Sequence, residues 1–157
     1  LSGEVTHTPP EAQVGAIAVA LAAGRAWRFQ SEPVEQLIPW VISRIDQSEV
    51  RRRLEWVTTY PLDAWAFTIA SQVGCGYEIS AQDTVPFCIW MAAAFLHDYC
   101  EAMWTAARVG GDIADFDSSC MVTGLKLADD RSKNQHQEGR HRNRWLRVRS
   151  WMLGVGT

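Results

Sequence analysis

A helical stretch without polar side chains sets the strongest limit on how this chain can fold. Residues 14–24 (VGAIAVALAAG) carry only apolar or glycine side chains. Pro10 and Glu11 precede them and predict a helix start, because the first turn tolerates proline and favours a carboxylate. The helix is predicted to cover residues 10–29. Since a helix that is apolar on every face is normally surrounded by other helices, we expect a multi-helix bundle in which this helix is the most buried.

The rest of the chain predicts further helices and no sheet. Apolar residues recur at spacings of three and four after Pro33, and glycines follow the later apolar segments. The further helices are predicted from about Leu37 to Ile45 and at 49–57, 62–73, 83–96 and 99–109. The arginine triplet 51–53 is expected to face solvent, and the eight tryptophans are expected to be core and packing residues. Because no segment shows sustained strand alternation, the predicted class is all-α.

Composition narrows the class of protein. The chain has 157 residues, 47% of them hydrophobic, which is enough for one domain with a core. The longest apolar runs are shorter than the roughly 20 residues that cross a bilayer, so no membrane partner is expected. The 4 cysteines lack Cys-x-x-Cys spacing, which favours reduced thiols and a cytoplasmic location over a zinc site.

Charge is divided unevenly along the chain. Residues 1–130 hold 8 Lys/Arg against 17 Asp/Glu, and residues 131–157 hold 7 against 1. An acidic body suits a cation site and opposes the phosphate backbone, so nucleic acid is not expected as a partner. The polar, basic segment from Lys126 to Arg144 has no apolar stripe and is predicted to be disordered or loosely attached.

An acidic segment directly after the last predicted helix carries the clearest chemical signal. Asp112, Asp115, Asp117 and Ser118 follow the glycine pair 110–111. Carboxylate and hydroxyl oxygens are ligands that magnesium prefers, and the adjacent Asp117 and Ser118 can present two oxygens from one turn. Taken alone, such a segment is more often a helix cap or a solvated turn, so both interpretations stay open at this point.

Two sets of motifs resemble a known family. Residues 2–11 (SGEVTHTPPE) lead into the alanine-rich helix; residues 83–87 (DTVPF), 99–102 (YCEA) and 108–112 (RVGGD) follow in order. Together they resemble the C-terminal part of the ADP-ribosylglycohydrolase family, over roughly residues 1–124. The resemblance implies an all-α, orthogonal multi-helix bundle that is incomplete at its N-terminus. Residues 125–157 would form a separate, basic and divergent tail.

The resemblance also implies an activity and a site. Members are hydrolases that remove ADP-ribosyl groups from a modified protein side chain or a small acceptor with the help of Mg²⁺, for which Mn²⁺ can substitute. By position, Asp112, Asp117 and Ser118 match the metal ligands of the family. Asp115 is a rival ligand, because three additional residues separate the aspartates here. His7 matches a residue near the substrate entrance, although a turn histidine that caps a helix is an equal alternative; no catalytic residue is assigned.

Two departures from the family pattern bear on activity. The insertion changes the spacing of Asp112 and Asp117, and the sequence contains neither the Thr-Asp-Asp segment nor the early glycine-rich acidic motif that supply further ligands in the family. We therefore expect a fragment with impaired activity. The alternative is a non-catalytic helical module that serves binding or interaction.

Overall fold

The described part of the protein is entirely helical. The computed structural model describes residues 10–28, 33–78 and 80–111. The helices are α1 (Pro10–Arg28), a 3-10 helix (Val34–Gln36), α2 (Leu37–Ile42), α3 (Glu49–Val57), α4 (Ala66–Val73), α5 (Ala81–Ala94) and α6 (Tyr99–Val109). These ranges contain no strand, which confirms the predicted all-α class. None of their helices has the length and apolarity needed to cross a membrane.

Local sequence signals define several helix boundaries well. Helices α3 and α6 have the predicted bounds, and α1 ends at Arg28, beside residues that lie outside the described ranges. Helix α4 begins later than predicted, because the amide of Ala64 donates to the carbonyl of Pro61 in a preceding turn. Helix α2 is shorter than its apolar pattern suggested, since the chain turns after Ile42. The existence of each helix was therefore predicted more reliably than its length.

Helix α5 forms the centre of the bundle. It packs against α1, α2, α3, α4 and α6. Most of its residues are buried, and they include the large side chains of Phe87, Ile89, Trp90 and Met91. The core around it is completed by Val50, Leu54 and Val57 of α3, all fully buried. Burial of large apolar side chains is the main favourable term in folding, so α5 is the element on which the bundle depends most.

Helix α1 is not the most buried helix, and this sequence-based expectation is wrong. Its buried positions are mainly small residues, and Ile17 remains 49% exposed. Alanine and glycine carry little apolar area, so leaving them at the surface costs little free energy. These small residues allow α1 to approach α5 closely, because a Cβ on Gly15 would lie only 2.9 Å from the Cβ of Ala81 in α5.

The tryptophans divide between core and surface. Trp90 is fully buried, whereas Trp27 and Trp65 are 52% and 70% exposed. Trp40 is half-buried, with the guanidinium groups of Arg25 and Arg44 lying 4.7 and 3.9 Å from its ring centroid. Cations over an indole face are attracted to its π-electrons. The expectation that all tryptophans are core and packing residues is therefore wrong for Trp27 and Trp65.

The N-terminus of α3 is capped from two sides. The side chain of Ser48 accepts from the amide of Arg51 at 3.1 Å. The Glu11 carboxylate of α1 accepts from the amides of Glu49 at 2.9 Å and Val50 at 3.2 Å. The first amides of a helix have no partner within it, and negative charge is favoured at this end. A residue of α1 thus completes the N-terminal cap of α3.

Candidate functional site

The predicted ligands lie beyond the end of the described chain. Asp112, Asp115, Asp117 and Ser118 fall outside the described residues, as does His7. No group of three or more His, Cys, Asp or Glu side chains that could hold a metal ion occurs among residues 10–28, 33–78 and 80–111. What the structure does describe is the scaffold that ends at Gly111, directly before the acidic segment.

Helix α6 leads to that segment. Its N-terminus is capped by the Asp98 side chain, which accepts from the amide of Glu101 at 3.0 Å. Its last turn closes where the amide of Gly110 donates to the carbonyl of Ala106 at 2.9 Å. Gly110 and Gly111 then adopt φ values of +83° and +92°. Residues with a Cβ rarely adopt such angles, so the glycine pair allows the chain to change direction sharply after the helix.

A turn formed by residues 74–78 packs directly against the glycine pair. A Cβ on Gly111 would overlap the carbonyl oxygen of Cys75 and lie 2.7 Å from its carbonyl carbon. A Cβ on Gly110 would lie 2.8 Å from the hydroxyl oxygen of Tyr77. Gly111 therefore needs glycine for space as well as for backbone conformation, whereas at Gly110 the exposed Tyr77 side chain can move aside and the backbone conformation is what favours glycine. The turn, which we call the 74–78 turn, thus lies against the two residues that directly precede the acidic segment in the sequence.

Asp83 holds the 74–78 turn in place. This residue of α5 is 5% exposed, and its Oδ2 accepts from the amides of Gly76 and Glu78, both at 2.9 Å. A buried carboxylate is costly unless its oxygens are hydrogen-bonded, and bonds to a charged acceptor are stronger than neutral ones. The carboxylate of Asp83 thus fixes the turn through its backbone, independently of the side chains that the turn carries.

Arg53 connects this carboxylate to helix α3. Its Nη1 lies 3.7 Å from Oδ1 of Asp83, and donates to the carbonyls of Val73 at 2.8 Å and Gln82 at 3.0 Å. Its Nε donates to Glu49 at 2.9 Å. The expectation that the whole arginine triplet faces solvent is therefore wrong for Arg53, whose side chain is only 23% exposed, and for Arg51, whose side chain is 24% exposed and donates to the carbonyl of Ile45.

The pKa values of Glu49 and Cys75, which lie at opposite ends of this network, are shifted in opposite directions. Hydrogen bonds from Arg52 and Arg53 lower the pKa of Glu49 from 4.5 to about 2, so Glu49 is ionised at neutral pH. Burial, with a smaller contribution from the Asp83 carboxylate, raises the pKa of the Cys75 thiol above its usual 9.0. Cys75 is therefore a neutral thiol at neutral pH and is not activated as a nucleophile.

The sequence indicated the acidic segment, but it did not indicate which residues hold the turn that packs against the preceding glycine pair. Asp83 was singled out only as part of a motif, and Arg53 was assigned to solvent. The available signal was the pair of glycines at 74 and 76, which predicts a tight turn shortly before Asp83. The sequence also places His97 at the break between the last two predicted helices, where a surface turn is expected, and in the structure His97 lies in such a turn and is exposed.

The described residues form an all-α protein. Its central buried helix, α5, holds the turn that packs against the C-terminal end of α6, and a carboxylate-rich segment follows α6 in the sequence. Comparison with protein families agrees with that class: the family model described as ADP-ribosylglycohydrolase matches residues 1–124. The chain therefore belongs to the ADP-ribosylglycohydrolase family, as the sequence motifs indicated. No curated protein and no solved structure gives a significant match.

Proposed function

We propose that this chain carries the metal-binding C-terminal portion of a glycohydrolase that removes ADP-ribosyl groups from a modified protein side chain or a small acceptor. The observation that carries the proposal is the family match, which covers residues 1–124 and so includes both the helical scaffold and the acidic segment. A metal site needs a rigid support. The described helices provide one, and the backbone has a defined direction where the described chain ends, directly before the acidic segment.

The metal ligands proposed are Asp112, Asp117 and Ser118, with Asp115 as the alternative to Asp112. Three carboxylates and one hydroxyl in this segment suit a hard cation such as Mg²⁺ or Mn²⁺. When bound, such an ion orients the ribose and polarises water near the glycosidic bond. His7 is proposed to lie near the substrate entrance. Its position rests on the motif alone.

The 157-residue chain by itself is expected to bind one divalent ion weakly. Magnesium demands near-ideal octahedral geometry, and one short segment supplies only part of such a shell. The sequence holds no Thr-Asp-Asp triplet to complete it. We therefore propose that hydrolysis by this chain alone is impaired. We also propose a cytoplasmic location, because the spacing of the cysteines in the sequence favours reduced thiols.

Calorimetric titration with Mg²⁺ and Mn²⁺ tests the metal proposal. Wild type should bind one ion, and Asp117→Ala should weaken binding at least about tenfold because it removes a direct ligand. The matched control is Asp63→Ala, which removes an exposed aspartate from a turn before α4. Equal titrations for wild type and Asp117→Ala would exclude Asp117 from the site. Hydrolysis of ADP-ribosyl-arginine by wild type, measured in parallel, would show that the chain needs no further ligands.

The alternative is a non-catalytic helical module. The observation in its favour is the exposure of Trp27 and Trp65, because tryptophan is enriched among the residues that dominate binding interfaces. Under this alternative, ADP-ribose would bind without added metal and without turnover. Loss of ADP-ribose binding in the Asp117→Ala variant would instead favour the metal site.

A further inference from the structure

We infer that Asp83 is a positioning residue: its carboxylate holds the 74–78 turn against Gly110 and Gly111, and thereby sets the direction in which the chain enters the acidic segment at Asp112. Its role towards the glycine pair stands on contacts among described residues. Its consequence for a metal ion rests on the proposed function. Amide hydrogen exchange tests the positioning role, and titration with Mn²⁺ tests the consequence for the metal.

The direction of the Asp83 hydrogen bonds is the first observation. Asp83 lies in the first turn of α5, where a carboxylate commonly interacts with the amides of its own helix. Instead, its Oδ2 accepts from Gly76 and Glu78, which precede the helix. The side chain is nearly inaccessible to water, so these bonds are not readily replaced by solvent. The carboxylate therefore stabilises the turn.

The lack of space between backbones is the second observation. A Cβ on Gly74 would lie 2.6 Å from Cγ of Asp83, and a Cβ on Gly111 would lie 2.7 Å from the carbonyl carbon of Cys75. Asp83, the turn and the glycine pair are thus stacked in van der Waals contact. Because backbone atoms cannot rotate away as a flexible side chain can, movement of the turn is transmitted to Gly111.

The position of Arg53 is the third observation. This side chain donates to the carbonyl of Val73, just before the turn, and to that of Gln82, just before Asp83. It therefore connects both ends of the chain segment that contains the turn. Neutralising Asp83 leaves the Arg53 guanidinium with a weaker partner at this point, so the turn should loosen before the bundle does.

Residue-resolved amide hydrogen exchange on the metal-free, full-length chain tests the positioning role. The variant is Asp83→Asn, which keeps the shape and one acceptor oxygen but removes the charge. The matched control is Asp63→Asn. We expect exchange of the Gly110 amide, which donates to Ala106, to accelerate about tenfold in Asp83→Asn only. The Phe95 amide, which donates to Met91 at the end of α5, serves as the reference and should stay unchanged.

Each outcome of the exchange experiment decides the inference. Acceleration at Gly76 and Glu78 alone would show that Asp83 stabilises only its own turn, and would overturn it. Equal acceleration at Gly110 and Phe95 would also overturn it, because Asp83 would then stabilise the whole bundle. Acceleration at Gly110 without change at Phe95 supports transmission from the turn to the glycine pair.

Titration with Mn²⁺ tests the consequence for the metal. Replacing residues that orient direct ligands typically lowers metal affinity about 10- to 100-fold, and we expect Asp83→Asn to do so at a temperature where it is fully folded. If wild type binds no Mn²⁺, the proposed function fails while the exchange result still decides the positioning role. If Asp83→Asn binds Mn²⁺ as tightly as wild type does, the consequence for the metal is refuted.

A second pair of variants avoids the charge of Asp83 altogether. Gly111→Ala forces the chain away from Cys75, whereas in Gly24→Ala the new Cβ meets no atom of the described residues within 4 Å beyond its own helix backbone. We expect the same loss of Mn²⁺ affinity in Gly111→Ala and none in Gly24→Ala. The double variant of Asp83→Asn and Gly111→Ala should bind no more weakly than Gly111→Ala does, because both act through one contact. Additive losses would refute that coupling.

Discussion

Two adjacent arginines of α3 are expected to differ strongly in their contribution to stability. Arg53 is 23% exposed in its side chain, and its Nη1 donates to the carbonyls of Val73 and Gln82. Arg52 is 67% exposed, and its guanidinium group pairs with the Glu49 carboxylate. Arg53→Ala and Arg52→Ala make the same change of side chain in one helix, so helix propensity cancels between them.

The expected loss of unfolding free energy in each variant follows from these contacts. Hydrogen bonds from a charged donor contribute about 1.5 to 3 kcal/mol each. Since water partly reaches Arg53, the lower figure applies, and its two backbone bonds give about 3 kcal/mol. Loss of the cation near the buried Asp83 carboxylate acts in the same direction. An exposed ion pair such as that of Arg52 with Glu49 contributes about 0 to 1 kcal/mol.

Urea unfolding followed by circular dichroism measures the difference. We expect Arg53→Ala to lower the free energy of unfolding by about 3 kcal/mol, and to lower Tm by about 6 to 12 °C for a chain of this size. Arg52→Ala should lose less than about 1 kcal/mol. Equal losses in the two variants would refute the reasoning, because the inward contacts of Arg53 would then contribute nothing beyond its pairing with Glu49.

Two further predictions concern Glu49 and the glycines of α1. Because its two arginine partners lower the pKa of Glu49 from 4.5 to about 2, its contribution is full above pH 4.5 and is lost as pH falls towards 2. Glu49→Gln should therefore flatten the decline of Tm between about pH 5 and about pH 2, and an unchanged slope would contradict this. Gly15→Ala should destabilise by about 1 to 3 kcal/mol, because its Cβ meets Ala81 at 2.9 Å. A Cβ on Gly24 has open space with respect to the described part of the chain, so Gly24→Ala should stabilise the helix by up to about 1 kcal/mol. If both variants change the stability in the same direction in thermal unfolding, the packing argument is wrong.

Local features of the sequence predicted local structure well. The bounds of α3 followed from Val50, Leu54 and Val57 at helical spacing, and those of α6 from the turn at Asp98 and the glycine at 110. These signals lie within the elements they define, so no knowledge of the tertiary structure was needed. The same holds for the all-α class.

Burial and long-range contacts were predicted less well. The absence of polar residues in α1 was taken to mean complete burial, but alanine carries too little apolar area to require it, whereas the large side chains of α5 do. Nothing local to Arg53 reveals that it reaches the carbonyls of Val73 and Gln82, 20 and 29 positions away. The acidic ligands could be proposed from their chemistry and motif, whereas the proposed positioning role of Asp83 depends on packing between α5 and the 74–78 turn, which the local sequence does not reveal.

The capping of α3 by Glu11 has a consequence for making chimaeras of this chain. One residue of axial shift moves a helical side chain by 1.5 Å and rotates it by about 100°. A graft that lengthens or shortens α1 between Glu11 and Gly15 would therefore remove the carboxylate from the amides of Glu49 and Val50 even if every apolar contact were restored. Exchange of the segment before Glu11 leaves this polar contact intact. Recombination with other members of the family should thus be tolerated upstream of Glu11 and not immediately after it.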